Sequence, residues 1–525
     1  MDGLDRAYGW SLNIALDHGV ITLLVLAATI GLNIYLYNIV PKGFFPQQDT
    51  GMMIGGIQAD QSSSFQAMRP KLAAFVDIVR ADPAVQNVTA FTGGAQRNSG
   101  FMYIVLKPRN ERGVSSMEVI ARLRPKLSRV AGASLFLQPV QDIRIGGRTS
   151  NALYQFTLQG DDLAELRKWE PRVRAGLSSL PELADVNTDL QDKGLQTSID
   201  FNRDAMARLG LSPAGVDAVL NDAFGQRQVS IIYQALNQYR VILEVAPQYW
   251  QSPESLNDIY VPGTGGALVP LPAVARFAPS NTSLGVNHQG QFAASTVSFN
   301  LAGNTTLGDA AAAIERMMAS IGAPNSVRGS FQGSARAFQD SLQSQPLLIL
   351  AALVTIYIVL GILYESLVHP ITILSTLPSA GVGAIAALLI TGTEFSIIAM
   401  IGVILLIGIV KKNAIMMIDV ALSLEREQGL GAREAIYRAC RLRLRPIMMT
   451  TLAALFGALP LALGSGDGAE LRRPLGISIV GGLMLSQLLT LYTTPVVYLA
   501  LDRLRIRPRR RRAGPAGGLS ISSAP

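Results

Sequence analysis

Ile401-Gly402-Val403-Ile404-Leu405-Leu406-Ile407-Gly408-Ile409-Val410-Lys411-Lys412-Asn413-Ala414-Ile415-Met416-Met417-Ile418 is an apolar run interrupted by two lysines and an asparagine. A helix crossing a hydrocarbon core of roughly 30 Å needs about 20 such residues. A lysine near its middle costs roughly 2.5–3.5 kcal/mol on insertion scales, so it pairs with a carboxylate or faces a wet cavity. The only acid in the same span, Asp419, lies about 10.5 Å beyond Lys412 at 1.5 Å per residue, too far for a direct pair. Two readings stand: a carboxylate comes from outside this chain, or the lysines snorkel to an interface.

Five further runs of this kind flank it: Gly19 to Val40, Pro346 to Tyr364, Pro370 to Thr393, Pro446 to Gly464 and Leu475 to Leu501, with the quoted span running from Phe395 to Ala421. None of the five carries Asp or Glu in its apolar interior; Glu365 and Glu394 sit at span ends. The first run is too long for a signal-peptide core and has no small-residue cleavage site behind it, so it reads as a retained anchor. Of all residues, 49% are hydrophobic and only 16% charged, where soluble chains carry about 25% charged.

Arginines cluster between the fourth and fifth spans, from Arg426 to Arg445, and again after the sixth, from Arg503 to Arg512. Both clusters belong on the cytoplasmic side. Counting crossings back from them puts the N-terminus inside and the long insert, from about Pro41 to Gln345, outside, in the periplasm of a Gram-negative cell. The net charge of +8 is thereby explained by membrane flanks and not by nucleic-acid binding. Gly431 to Leu444, with Ile436, Ala439 and Cys440 at helical spacing among arginines, reads either as a helix on the inner leaflet or as a simple linker.

The insert alternates strand and helix patterns. Strands are expected near Met52 to Ile57, Val85 to Phe91, Met102 to Leu106 and Ser134 to Pro139, and helices near Phe65 to Arg80 and Met117 to Val130, the latter opened by a capping box at Ser115 and Glu118. That order is βαββαβ, the ferredoxin-like motif. A second copy starts with Leu153 to Leu158, Leu163 to Leu180 and Ala184 to Leu190. It resumes about a hundred residues later with Ala293 to Asn300, Asp309 to Ser320 and Ser326 to Phe331, so a separate module, Gln196 to Ser280, is inserted into it. The expected fold class is an α-helical polytopic membrane protein with six transmembrane helices and a large α+β periplasmic region of ferredoxin-like βαβ repeats.

Chemistry is sparse. One cysteine, Cys440, rules out a disulfide framework, and three scattered histidines, His18, His288 and His369, make no metal site, so no metal or other cofactor is expected. No Gly-x-x-x-x-Gly-Lys-Ser/Thr loop is present to bind a nucleoside triphosphate. No nucleophile motif stands out, so the chain does not read as an enzyme.

Three separated motifs carry a resemblance: Pro46-Gln47-Gln48-Asp49-Thr50-Gly51 after the first span, Gly408-Ile409-Val410-Lys411-Lys412-Asn413-Ala414-Ile415 in the fourth, and Arg443-Leu444-Arg445-Pro446-Ile447-Met448-Met449-Thr450 opening the fifth. With the layout of spans and insert, they resemble one half of a resistance-nodulation-division (RND) permease, closest to the hydrophobe/amphiphile branch and its heteromeric multidrug pumps, over essentially the whole chain to about Arg505. Such permeases are trimers that export drugs in exchange for protons. The resemblance implies a C-terminal half whose N-terminal partner carries two relay aspartates, together with a periplasmic adaptor, an outer-membrane channel and amphiphilic drug substrates. It places this chain in the bacterial inner membrane.

The same resemblance puts a proton relay at Lys412, Asn413, Arg443 and Thr450; Lys411 departs from the family, where a small residue often stands. An arginine beside a membrane end also serves as a headgroup anchor, and a threonine in a span also back-bonds its own helix. The family's substrate pocket falls on Phe91, Phe101 and Tyr103, and its flexible glycine loop on Gly93, Gly94 and Gly100; packing on one strand face is the other reading for the aromatics. Residues 19–40 are the first span, 45–145 one porter subdomain, 150–195 and 281–340 the two halves of another, 196–280 a docking module, 346–501 five spans and 502–525 a basic cytoplasmic tail. The rival reading is a truncated or accessory membrane-anchored scaffold without transport activity by itself.

Overall fold

The computed structural model describes residues 2–502 apart from 94, 95, 149, 304 and 467; the basic tail expected after Asp502 lies outside the described residues. The chain opens with an amphipathic helix, α1 (Asp2–Asp17), and continues into α2 (Gly19–Ile39), an apolar helix in which only Thr29 is buried. A short connection then enters the first sheet unit.

That unit contains β1 (Met52–Ala59), α3 (Phe65–Arg80), β2 (Val85–Thr92), β3 (Ser99–Leu106), α4 (Arg109–Arg112), α5 (Ser116–Leu127) and β4 (Ala133–Pro139). Its strands pair antiparallel in the order β2-β3-β1-β4. Residue alternation decides which face is covered: Met102, Ile104 and Leu106 of β3 are buried, whereas Tyr103 and Val105 are exposed. Met53, Ile57, Phe75, Val119 and Leu123 complete the core between sheet and helices, each apolar side chain contributing about 1.5–3 kcal/mol by burial. Helix starts are capped: Ser64 Oγ accepts from the Ala67 amide, and Ser115 and Glu118 form the expected capping box.

The second unit comprises β5 (Tyr154–Gly160), α6 (Leu163–Ser178) and β6 (Leu183–Thr188). The chain then leaves through β7 (Gly194–Phe201), α7 (Arg203–Arg208), α8 (Pro213–Phe224), the hairpin β8 (Arg227–Tyr233) and β9 (Gln238–Leu243), β10 (Tyr260–Pro262), β11 (Leu268–Pro270) and β12 (Ala275–Thr282). β7 and β12 pair as a two-stranded ribbon that carries this excursion out and back. β13 (Asn287–Gln289), β14 (Phe292–Leu301), α9 (Leu307–Ile321) and β15 (Val327–Gln332) return to the sheet. There β15, β5 and β14 lie side by side, and β6 and β13 share the outer edge of β14. The order β6-β14-β5-β15 repeats that of the first sheet.

The rest is helical: α10 (Ser334–Tyr364), α11 (His369–Leu374), α12 (Leu377–Ile390), α13 (Ile397–Gln428), α14 (Ala432–Ala462) and α15 (Ala469–Asp502). Among the described residues, six spans are long and apolar enough to cross a membrane, with α11 and α12 together making one. α15 packs against α12, α13 and α14. It approaches α12 through glycines: a Cβ on Gly383 would lie 2.4 Å from the Gly481 carbonyl oxygen, and one on Gly481 would lie 2.6 Å from that of Gly383. Small residues let membrane helices meet backbone to backbone.

One helical segment differs from the sequence reading, and α1 has no counterpart in it. Gly431 to Leu444 is neither a linker nor a separate surface helix, because α14 runs unbroken from Ala432 through Pro446. Ile436, Ala439 and Cys440 are fully buried in a cluster with α13 and α15, so that apolar face is satisfied by protein. α1 fills the same cluster with Tyr8 and Leu12, and Arg441 holds Asp5 at 2.5 Å while Arg433 holds Asp17. Its short apolar periodicity carried little signal alone.

Candidate functional site

The faces of α13 sort the residues of its polar interruption. Ile401, Leu405, Gly408, Lys412 and Asp419 fall on one exposed stripe, Lys411 is half-buried at its edge, and Asn413 is buried on the other side. Successive residues turn by 100°, so the three polar neighbours serve three environments. Lys412 lies about 22 Å along the helix from Ile397, inside a hydrocarbon core of roughly 30 Å. Among the described residues, no carboxylate lies within ion-pair distance of Lys411 or Lys412. Asp419 instead accepts a 2.6 Å hydrogen bond from the Tyr364 hydroxyl.

Asn413 meets two residues that sequence reasoning missed. Its Nδ2 donates to Thr451 Oγ1 at 3.1 Å and to Gln487 Oε1 at 3.0 Å, while Thr451 Oγ1 donates to Gln487 Oε1 at 2.8 Å. This triangle joins α13, α14 and α15. Gln487 was visible as a lone amide in the sixth apolar run, and such groups seek an interhelical partner. Thr450, by contrast, donates to Ile447 O at 3.2 Å, back-bonding its own helix. Arg443 is half-buried seven residues earlier on the same face of α14. Of the expected relay set, then, only Asn413 makes an interhelical hydrogen bond among the described residues, and it does so through Thr451.

In the first sheet unit, Phe91, Phe101 and Tyr103 do share the face of the sheet that α3 and α5 leave open. The Phe91 ring lies 6.1 Å from both Phe101 and Tyr103, and Phe91 and Tyr103 are about half exposed. Register explains the trio: Phe91 pairs with Phe101 across β2 and β3, and Tyr103 follows two residues on. A cavity of about 140 Å³ opens between the two sheets, lined by Phe44, Phe45, Phe101, Gln138, Arg148 and Tyr154. Phe101 borders it; Phe91 and Tyr103 do not.

The glycine loop is shorter than expected. Gly93 has φ +100°, which excludes most side chains. Gly100 is not in the loop but in β3, opposite Thr92 and Ile57, where a Cβ would come within 2.9 Å of the Phe91 carbonyl oxygen. Gly94 lies outside the described residues. The loop's far side is tied down, since buried Asn98 donates to Ala59 O at 3.0 Å and Gln191 Oε1 at 2.9 Å, and Gln191 donates to Gln96 at 2.7 Å.

Asp49 of the Gln-Gln-Asp motif anchors the junction of sheet and bundle. Its carboxylate meets Arg112 at 2.6 Å, Arg109 at 2.9 Å and the Ser116 amide, at the start of α5, at 3.0 Å. Burial alone pushes this carboxyl up, but the Arg112 guanidinium and the Ser116 and Gly51 amides outweigh it and hold it below the usual range. Arg109 also reaches Glu470, in the first turn of α15, at 3.6 Å. Gln48 locks the same connection into β1 by accepting from the Asp142 amide at 2.8 Å.

Residues 1–502 match the AcrB/AcrD/AcrF family. The multidrug resistance protein MdtC of Yersinia enterocolitica is 62% identical over 504 residues, covering 96% of this chain and 49% of that protein. The protein of the same name from Escherichia coli K12 is 60% identical over 508 residues, covering 97% and 50%. The chain spans about half the length of these relatives. A solved heavy metal efflux pump superposes with a TM-score of 0.86 over 95% of this chain and 52% of its own, at 23% identity, a likeness that carries the fold alone. With six membrane-length helices, two sheets of one repeated topology and a family match over nearly its whole length, this multi-pass membrane protein belongs to the AcrB/AcrD/AcrF family of RND transporters.

Proposed function

We propose that this chain is the C-terminal half of a proton-antiporting multidrug permease, working in the bacterial inner membrane with its sheet region in the periplasm. The observation that carries the reading is Lys412: a cation at mid-span, on an exposed apolar stripe, with no carboxylate of its own among the described residues. A lysine so placed requires an acid on whatever covers that stripe. A matched N-terminal half supplies it as two aspartates. When ionised they hold Lys412, when protonated they release it, and the released helix moves against its neighbours. Arg443 and Thr450 share one face of α14, and Thr450 leaves its back-bond to compensate the unpaired state. Asn413 fixes the register of α13 against α14 and α15.

On the periplasmic side, the open face bearing Phe91, Phe101 and Tyr103 takes amphiphilic drugs, with Gly93 at φ +100° allowing the adjoining turn and Gly100 the close backbone approach of β2 and β3. Adaptable aromatic surface suits broad substrate choice. The excursion between β7 and β12 is the docking module. Its hairpin β8–β9 exposes Ile232, Tyr233, Leu236 and Tyr239, with Leu236 93% exposed, and an isolated hairpin of this kind needs a partner surface. That partner is a neighbouring permease in a trimer, which joins a periplasmic adaptor and an outer-membrane channel.

The test is drug susceptibility of cells co-expressing a matched N-terminal half with this chain or its Lys412→Ala variant. Resistance is expected from the first and background susceptibility from the second at equal membrane abundance. Equal resistance would sink the relay.

A further inference from the structure

The bundle holds a second titratable cluster, at the end remote from the sheets. Asp419 on α13 accepts from the Tyr364 hydroxyl on α10 at 2.6 Å. Six residues on, Glu425 accepts from the Tyr498 hydroxyl on α15 at 2.7 Å. His369, at the start of α11, joins the two pairs. Its ring stacks on Tyr498 with centroids 5.9 Å apart and 16° between planes, and meets Tyr364 edge-on at 6.1 Å. Five titratable side chains from four helices thus touch in sequence. His369 and Tyr498 are only 3% and 2% exposed, whereas Asp419 is exposed.

Position gives the cluster its meaning. Asp419 follows Lys412 by seven residues, so the two side chains leave α13 on the same stripe, about 10.5 Å apart along the axis. Asp419 stands about 33 Å from Ile397, where the hydrocarbon of roughly 30 Å gives way to the interface. Ionisable groups inside apolar spans are costly, and a buried histidine between two tyrosine–carboxylate pairs costs more than aliphatic packing there. Other titratable or charged groups on the surrounding elements include Glu365 at the end of α10, Tyr8, Asp5 and Asp17 on α1, Arg433, Tyr437, Cys440, Arg441 and Arg445 on α14, Tyr492 and Asp502 on α15, and Arg426 and Glu427 on α13.

We propose that Asp419, backed by Tyr364, His369, Tyr498 and Glu425, is the site through which protons leave the relay for the cytoplasm. A proton freed beside Lys412 passes along the common stripe, by water drawn between the charges of Lys412 and Asp419 past Ile415 and Met416, and binds the Asp419 carboxylate. From there it passes to the cytoplasm, and Asp419 returns to its ionised form. Tyr364 stabilises that form by donating to Oδ1. Only O–H bonds form and break, the proton leaving a water for Asp419 and then Asp419 for a cytoplasmic water, and no bond between heavy atoms changes. This role rests on the Lys412 relay reading above.

Asp419→Asn separates transport from packing, because the amide oxygen still accepts from Tyr364 while the group can no longer carry a proton. The completed pump, with its N-terminal half, is reconstituted into vesicles with a pH-sensitive dye on the cytoplasmic face and ethidium as the exported cation. Proton release coupled to ethidium is expected to slow on the order of a hundredfold in Asp419→Asn, the low side of what a lost proton-transfer group removes. Its dependence on cytoplasmic-side pH should flatten, and Asp419→Glu should restore both. Wild-type rates at every pH overturn the proposal, and so does a loss of one constant factor across pH that Asp419→Glu fails to rescue. A dead Lys412→Ala with a normal Asp419→Asn removes the release site alone; an active Lys412→Ala removes the relay itself.

Discussion

Among single residues, buried charge decides most. Arg112 has a side chain only 1% exposed and binds Asp49, itself 6% exposed, at 2.6 Å. Removing one member of such a pair leaves the other buried and uncompensated, so Arg112→Met should destabilise the first sheet unit by about 3–5 kcal/mol. The pH dependence has a definite sign. Asp49 is held below its ordinary value of 3.8, so its stabilising contribution is present above that value and is lost as pH falls through the lower folded one. The gap in thermal midpoint between wild type and Arg112→Met should therefore be constant from pH 8 to pH 5 and narrow on further acidification. A gap that widens in acid would contradict this assignment. Lys412 belongs to the same scale: the cost of its charge was readable from the apolar run around it, but the choice between Thr450 and its neighbour was not. Which of two adjacent threonines meets Asn413 depends on how α14 is rotated against α13.

For elements, the small-residue contact between α12 and α15 sets how the bundle closes. Gly481→Val would push its side chain into Ala387, whose Cβ lies 2.3 Å from the position of an added Cβ, and into the Gly383 carbonyl. Helix backbones yield less readily than flexible side chains, so the expected penalty is at least about 1–3 kcal/mol. The measurement is the thermal midpoint of the detergent-solubilised pump; no loss would mean that α12 and α15 do not approach this closely. The first sheet's strands and helices were legible because period-2 alternation and a capping box are local signals. The second sheet was legible only in halves, since its strands come from segments more than a hundred residues apart. The run of α14 through Pro446 was not legible: proline marks an expected start, and tertiary packing of Ile436, Ala439 and Cys440 overrode it.

Considering the molecule entire, Arg109 is one of the bridges between sheets and bundle, touching Asp49 at 2.9 Å and Glu470 at 3.6 Å. The Arg109 side chain is 47% exposed, and that of Glu470 29%. A long, solvated pair of this kind contributes at most about 1 kcal/mol. A double-mutant cycle of Arg109→Met and Glu470→Gln, read by thermal unfolding, should return a coupling within that bound. A coupling above about 2 kcal/mol would show that the junction is a structural keystone and not an alignment contact.

The sequence by itself determined the six spans, the doubled βαββαβ grammar and the presence of a cation inside a span with no acid of that span close enough to pair with it. Each follows from local chemistry: span length from bilayer thickness, strands from alternation, and the charge problem from the cost of burying an ammonium group. Only the tertiary structure decided that Lys412 lies on an uncovered stripe, that Thr451 and Gln487 complete Asn413, and that Asp419 meets Tyr364, whose ring in turn meets His369. Those facts depend on helix rotation and register, fixed by contacts between residues far apart in the chain, such as Gly383 against Gly481, and no local pattern encodes them.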